Sequence, residues 1–155
     1  MPGSVARFEQ LLEEQGLAGR VVRLEENTRT AELAAQALGT PVGAIVKSLV
    51  LLADGRPCLA MVSGDQRADL VVLARLFESA DVQMMRGAQV KEITGFAIGG
   101  VPPLLGLPAV MDRELFRFET VWAAAGSPYA VFPIAPTELE RLAEARVVEL
   151  AAVEG

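Results

Sequence analysis

The stretch GAIVKSLVLLADGR, residues 43–56, decides how the chain folds. An apolar run ends at Asp54-Gly55, a dipeptide that tolerates positive φ and closes two-residue hairpins. The segment after it, PCLAMVSG (57–64), has the same strand character, so the two are expected to pair as an antiparallel hairpin. Side chains alternate along a strand: Ile45, Lys47, Leu49 and Leu51 share one face, and Val46, Ser48, Val50 and Leu52 the other. Lys47 is then the sole charged member of an apolar face. Two readings of it stand side by side. On an edge strand it would pack its stem, carry its head to water and discourage aggregation. At the lip of a cleft it would hold a phosphate or a carbonyl oxygen. The strand pattern leaves both open.

Working outward, SVARFEQLLEEQGL (4–17) places Val5, Phe8, Leu11 and Leu12 at helical spacing and stops at Gly16. GRVVRLEE (19–26) reads as a short strand. TRTAELAAQALG (28–39) predicts a helix with Thr30 as N-cap, an apolar face of Leu33, Ala34, Ala37 and Leu38, and Gly39 at its close. Downstream of the hairpin, QRADLVVLARLF (66–77) is helical, with Asp65, Arg67 and Asp69 as its solvated start. VQMMRG (82–87) predicts a strand and AQVKEITG (88–95) a short helix. FAIGGVPPLLGLPAVMD (96–112) reads as strand, Gly/Pro-rich loop and strand, and RELFRF (113–118) as one helical turn. TVWAAAG (120–126) and YAVFPIA (129–135) are strands around the turn GSP, and TELERLAEARVVEL (137–150) is a closing helix that opens with the capping box Thr137-x-x-Glu140. The order predicts one mixed α/β domain over residues 1–155, without repeats or linkers.

Composition narrows the chemistry. Hydrophobic residues make up 52% and charged residues 22% of the 155, which suits a compact soluble protein. No apolar run approaches the roughly 18 residues that span a bilayer, and the acidic start lacks a secretory apolar stretch, so a cytoplasmic protein without a membrane partner is expected. There is no histidine and only one cysteine, Cys58, in a strand where it reads as a small buried hydrophobe. Ser-His-Asp and Cys-His mechanisms and a structural zinc site are therefore excluded, and no metal or cofactor is expected. A net charge of −6 argues against extended wrapping of nucleic acid but leaves room for contact with a nucleic-acid end.

Three further stretches carry candidate chemistry. In GFAIGGVPPLLG (95–106), glycines at a strand end expose backbone N–H groups as an anion or carbonyl cradle, or simply bend the chain. No Gly-Lys-Ser/Thr follows, so this is not a Walker loop. In AAAGSPYAVF (123–132), Gly126 and Ser127 line a pocket or turn the chain. Asp112 is an active carboxylate or a helix N-cap.

Taken in order, TAELAAQALG, IVKSLVLL, SGD, GFAIGGVPPLLG, VMDREL and AGSP resemble the YbaK/prolyl-tRNA synthetase-associated domain family from Val21 to Val148. These are aminoacyl-tRNA deacylases, free-standing relatives of the editing domain inserted in bacterial prolyl-tRNA synthetases. The resemblance implies a mixed sheet curled into a partial barrel with helices around it. It also implies that Lys47 is the family's lysine and that Gly99-Gly100-Val101-Pro102-Pro103 is its G-x-x-x-P loop. Pro102 stands where some members have serine, and PPLLG carries an extra leucine.

The implied activity is hydrolysis of the ester between a mischarged small amino acid, of the Cys-tRNA(Pro) or Ala-tRNA(Pro) type, and the terminal adenosine. Lys47, Gly99 and Gly100 are the expected catalytic groups. Substrate contacts are expected at Thr30, Pro102, Pro103, Asp112, Gly126 and Ser127, with Arg29 as a second cation. The implied partners are a charged tRNA acceptor end and an aminoacyl-tRNA synthetase. The alternative from another class is a catalytically silent module of the same fold that docks on a synthetase or a tRNA end.

Overall fold

Alternation of apolar side chains along paired strands requires two covered faces, and the chain supplies a cover for each. The computed structural model describes residues 3–25, 30–103 and 106–150. Its elements are α1 (Ser4–Glu14), β1 (Val22–Arg23), α2 (Ala31–Leu38), β2 (Val46–Ala53), β3 (Arg56–Ser63), α3 (Leu70–Leu76), β4 (Val82–Met84), α4 (Gly87–Thr94), β5 (Ala109–Asp112), β6 (Val121–Ser127), β7 (Ala130–Ile134), α5 (Pro136–Ala143) and β8 (Arg146–Val148). Short 3₁₀ turns lie at Val42–Ala44 and Arg113–Arg117.

The hairpin forms as its turn dictates. Asp54 and Gly55 take φ of 49° and 80°, a mirror-image turn whose twist matches that of paired strands. The register runs from Ala53↔Arg56 to Val46↔Ser63. The Asp54 carboxylate also accepts from the N–H groups of Ala80 (3.1 Å) and Asp81 (2.9 Å), tying the turn to the approach of β4. One sheet has the order β4-β2-β3-β5-β8, antiparallel on the β4 side and parallel from β3 to β8. The other has the order β1-β7-β6 and is antiparallel.

Leu51, Ala53, Cys58, Ala60 and Val62 face α3, where Leu73 is fully buried against them. Val46, Val50, Leu59 and Met61, from the opposite face, join Val121, Ala123, Ala125 and Phe132 of the smaller sheet and Val5, Phe8 and Leu12 of α1 in the main core. A third, smaller cluster seats Ala34 and Ala35 of α2 on Ile45, with Trp122 packed against it. Cys58 is buried, and burial pushes its thiol up to about 11, so it stays protonated at neutral pH. Among the described residues no helix is long and apolar enough to cross a membrane.

Several expectations are corrected. The partial barrel does not form: the strands make two separate sheets that meet at the parallel bridge Ile45↔Trp122. Beyond that bridge the β2 edge is paired only from Leu51, by β4, so the sheets splay instead of closing. The segment from Phe96 to Ile98 forms a turn, not a strand. The closing helix starts at Pro136, whose missing N–H and fixed φ suit a first helical position, and not at a Thr137 cap. It ends at Ala143, and Arg146–Val148 becomes a strand beside β5. On α2 the buried residues are Ala34 and Ala35, while Leu33 is exposed. Asp69 alone caps α3, accepting from Val71 N at 2.8 Å; Asp65 is engaged elsewhere.

Phe8 is fully buried and meets Phe132 at 5.1 Å between ring centroids, joining α1 to the smaller sheet. Replacing it by alanine is expected to cost about 3–5 kcal/mol, read as a lowered denaturation midpoint with an unchanged slope.

Candidate active site

Where the two sheets splay, a cavity of about 290 Å³ opens. Five consecutive residues of one strand region, Ile45 to Leu49, line it. A strand that presents consecutive residues offers its edge and not one face, because side chains alone would alternate. Trp122 and Ala124 of β6 and Val131 of β7 form the opposite wall. Thr30, Ala31 and Ala34 bring in the start of α2, and Ile98, Gly99, Val101 and Pro128 complete the rim. Among the described residues the lining holds no carboxylate, imidazole or thiol, and its one formal charge is Lys47.

Lys47 is half-buried, and its Nζ donates to the Gln66 carbonyl at 2.6 Å. It makes no ion pair among the described residues. An ammonium has three donors, so two remain for a ligand. Next to it, Ser48 Oγ is buried without a hydrogen-bond partner. A buried hydroxyl left unsatisfied costs about 1–3 kcal/mol.

The other expected residues divide. Thr30 lines the cavity and caps α2, its Oγ1 accepting from Leu33 N at 3.2 Å. Gly99 lines the cavity with φ of 84°, where a side chain would be strained. Gly100 is buried behind it: its N–H donates to Ala97 O (2.9 Å), its carbonyl accepts from Gly126 N (3.0 Å), and a Cβ there would meet the Ser127 backbone at 2.7 Å. Its backbone is thus committed to the fold and not offered to the cavity. Gly126 is similarly required by the close approach of Ser4, and Ser127 Oγ accepts from Tyr129 N at 3.2 Å within the turn.

Pro102 and Pro103 are buried and lie outside the lining, which Val101 reaches instead. Asp112 is 1% exposed, and its oxygens accept from Ser63 N (3.1 Å) and Glu114 N (3.0 Å). It serves as the cap and brace of its surroundings, away from the cavity. Arg29 lies outside the described residues. Sequence reasoning missed Ser48 and Trp122. Ser48 carried the same signal as Lys47, a polar side chain in an apolar strand, whereas Trp122 gave none beyond its size.

Beside the cavity stands a polar network at the end of β3. Arg117 Nη2 donates to both oxygens of Asp65 (2.8 and 3.1 Å) and to Ser63 Oγ (2.9 Å). Ser63 Oγ donates to Gly43 O at 2.5 Å. The Arg117 hydrogen bond holds the Asp65 carboxyl below its usual range, against the opposing effect of partial burial. A depressed carboxyl stabilises the fold above its unfolded-state pKa and loses that effect only as pH falls through the lowered value, so the pair is fully ionised at neutral pH. Among the described residues no three or more His, Cys, Asp or Glu side chains gather as a metal site would require.

Comparison with known proteins agrees with this architecture. A solved structure described as that of a candidate trans-editing enzyme for prolyl tRNA synthetase is 43% identical, with a TM-score of 0.91 over 98% of this chain and 99% of that one. The uncharacterized protein YwhH of Bacillus subtilis is 33% identical over 132 residues, 82% of this chain and 83% of that protein. EbsC of Enterococcus faecalis, named as a candidate Cys-tRNA(Pro)/Cys-tRNA(Cys) deacylase, is 26% identical over 81% of this chain and 79% of its own. Part of the proline–tRNA ligase of Acidithiobacillus ferrooxidans is 33% identical over 89 residues; the match covers 56% of this chain and 16% of that ligase. The model of the aminoacyl-tRNA editing domain matches residues 25–142. The chain belongs to the aminoacyl-tRNA editing domain family.

Proposed function

We propose that the protein is a free-standing aminoacyl-tRNA deacylase, cytoplasmic and acting as one domain, that hydrolyses the ester of a mischarged small amino acid at the tRNA acceptor end. The observation that carries this reading is Lys47, which among the described residues is the one charged side chain lining a cavity of about 290 Å³. Family membership and the deacylase named among its relatives point the same way.

The mechanism rests on positioning and electrostatics, since the chain has no histidine to act as base. Lys47 anchors the terminal phosphate through the two donors that Gln66 leaves free, and so fixes the ester. The positive end of α2 at Thr30 adds a favourable potential at the mouth. The exposed Gly99 peptide and the unpaired β2 edge from Val46 to Leu49 present backbone groups to orient water and steady the oxyanion. The apolar walls exclude large side chains by size. A methylene more or less is worth only ~1–3 kcal/mol, so such a wall sorts amino acids by volume more than by identity.

The deciding experiment is single-turnover hydrolysis of a panel of mischarged tRNAs, alanyl-tRNA(Pro) and cysteinyl-tRNA(Pro) included. Release of amino acid is expected; a shift in tRNA mobility without release would leave only a binding module. Lys47→Ala is expected to fold and to lose roughly 100-fold or more in rate, because the phosphate anchor that positions the ester is lost. A variant near the parent rate would remove Lys47 from the mechanism.

EDTA is expected to leave the rate intact, given that among the described residues the cavity lining holds no carboxylate, imidazole or thiol. Restoration of a lost rate by a divalent ion, with tRNA folding controlled, would reverse this. With 14 basic against 20 acidic residues, contact is expected at the acceptor end alone. Binding titrated across a salt series should then give a slope worth about one to three phosphates, at about 0.7 per phosphate on a single strand. A slope worth six or more would assign recognition to another surface or a partner such as a synthetase.

A further inference from the structure

We propose that the Asp65–Arg117 ion pair is a positioning device for the Lys47 ammonium, acting through the turn Ser63–Gln66. The proposal rests on the reading of Lys47 as the cation that meets substrate. A lysine head on a four-carbon stem samples many positions unless an acceptor holds it. That acceptor is the Gln66 carbonyl, which belongs to neither a helix nor a strand. Its place is therefore set by what fixes the turn.

Three features fix it. Gln66 N donates to Ser63 O at 2.9 Å and closes the turn. Asp65, in the middle, is held through both oxygens by Arg117 Nη2. Arg117 is anchored in its turn: its Nε donates to Glu114 O at 2.8 Å, and its guanidinium lies 4.9 Å from the centre of the Phe118 ring. The same node reaches Lys47 from its backbone side. Ser63 Oγ, which accepts from Arg117, donates to Gly43 O in the 3₁₀ turn that leads into β2. A Cβ on Gly43 would lie within 3 Å of side-chain atoms of Asp65, Arg117 and Phe118, so the pair packs directly against this turn. The strand that carries Lys47 and the carbonyl that receives its head are thus both tied to one ion pair.

The pair itself is partly exposed, at 39% for Arg117 and 32% for Asp65, so its removal should leave the fold standing while loosening the turn. A plain surface staple would alter thermal stability without moving the Lys47 head.

The chain has only two lysines, Lys47 and Lys91, so the full-length protein labelled with side-chain ¹⁵N-lysine gives two ammonium signals, assigned through Lys91→Arg. In Asp65→Asn and Arg117→Ala the Lys47 signal is expected to move toward that of Lys91 and to exchange its protons faster. On the tRNA(Pro) charged with alanine or cysteine, kcat should fall about tenfold with KM within about twofold, since misplacement weakens the transition state more than binding. Arg117→Lys, which keeps the charge, should restore part of both readouts, and it serves as the test variant if Arg117→Ala fails to fold.

Folded variants with an unmoved Lys47 signal and parental kcat would overturn the proposal, even if Lys47→Ala is inactive. A Lys47 signal that moves in a protein that hydrolyses no charged tRNA would uphold the positioning and overturn the deacylase reading instead.

Discussion

The register of the β2–β3 hairpin is the constraint on which the rest of the structure depends. A two-residue turn at Asp54-Gly55 leaves no freedom in it, and a slip by one residue would send every side chain of β2 to the opposite face. With the observed register, Val46 and Val50 enter the main core and Leu51 and Ala53 pack beneath α3. The same register sets Lys47 opposite Val62 and Val46 opposite Ser63. The end of β3, and the turn that follows it, therefore come within reach of the lysine head. Asp54 meanwhile fastens the far end to the approach of β4, so both ends of the hairpin are held by side-chain-to-backbone bonds.

The cavity follows from where pairing stops. Beside β2, β4 pairs with Leu51 to Ala53, and the ladder link to β6 is the bridge Ile45↔Trp122. Between these points no described strand pairs with this edge, and α2 and the Gly99 turn border the gap rather than filling it. Close packing nearby keeps the gap in shape. Gly64 has no room for a side chain, since a Cβ would overlap the Val42 carbonyl, and Gly100 is pressed on the Ser127 backbone. These glycines are structural necessities at the margin of a site, which separates them from Gly99, the glycine that the cavity exposes.

Legibility in the sequence followed the range of the signal. The hairpin, the Thr30 cap, β6 and β7 were readable because each is set by residues a few positions apart: Asp54-Gly55, Thr30 before an alanine-rich run, alternation around Gly126-Ser127-Pro128. The separation into two sheets was not readable, because it depends on whether β2 pairs with β6 along its length, a choice made by tertiary packing. Nor was the conversion of Arg146–Val148 from helix to strand, since the helical pattern there is overridden by a parallel partner 36 residues upstream at Val110. In the site, Lys47 stood out as a charge on an apolar face. Asp112 read as an active carboxylate or a cap and Ser127 as a pocket or turn residue, and the structure shows their oxygens taken up by backbone N–H groups.

On the proposed reading an acidic chain of net charge −6 meets a polyanion through one local cation, so what surrounds Lys47 matters more than the total charge. Asp65, the carboxylate on the turn that receives the Lys47 head, is matched by Arg117, which in turn pairs with Glu114. The guanidinium offsets part of its charge, and the group that contacts the Lys47 head is a neutral carbonyl dipole from Gln66. A carboxylate in that position would orient the ammonium as well but would cancel its field. A carbonyl orients it and leaves its full charge for the ligand. In a partly buried cavity, where the dielectric is lower than in water, one such charge acts more strongly than it would on an open surface. The arrangement favours a brief, local contact with a phosphate or ester over adhesion along a nucleic-acid backbone.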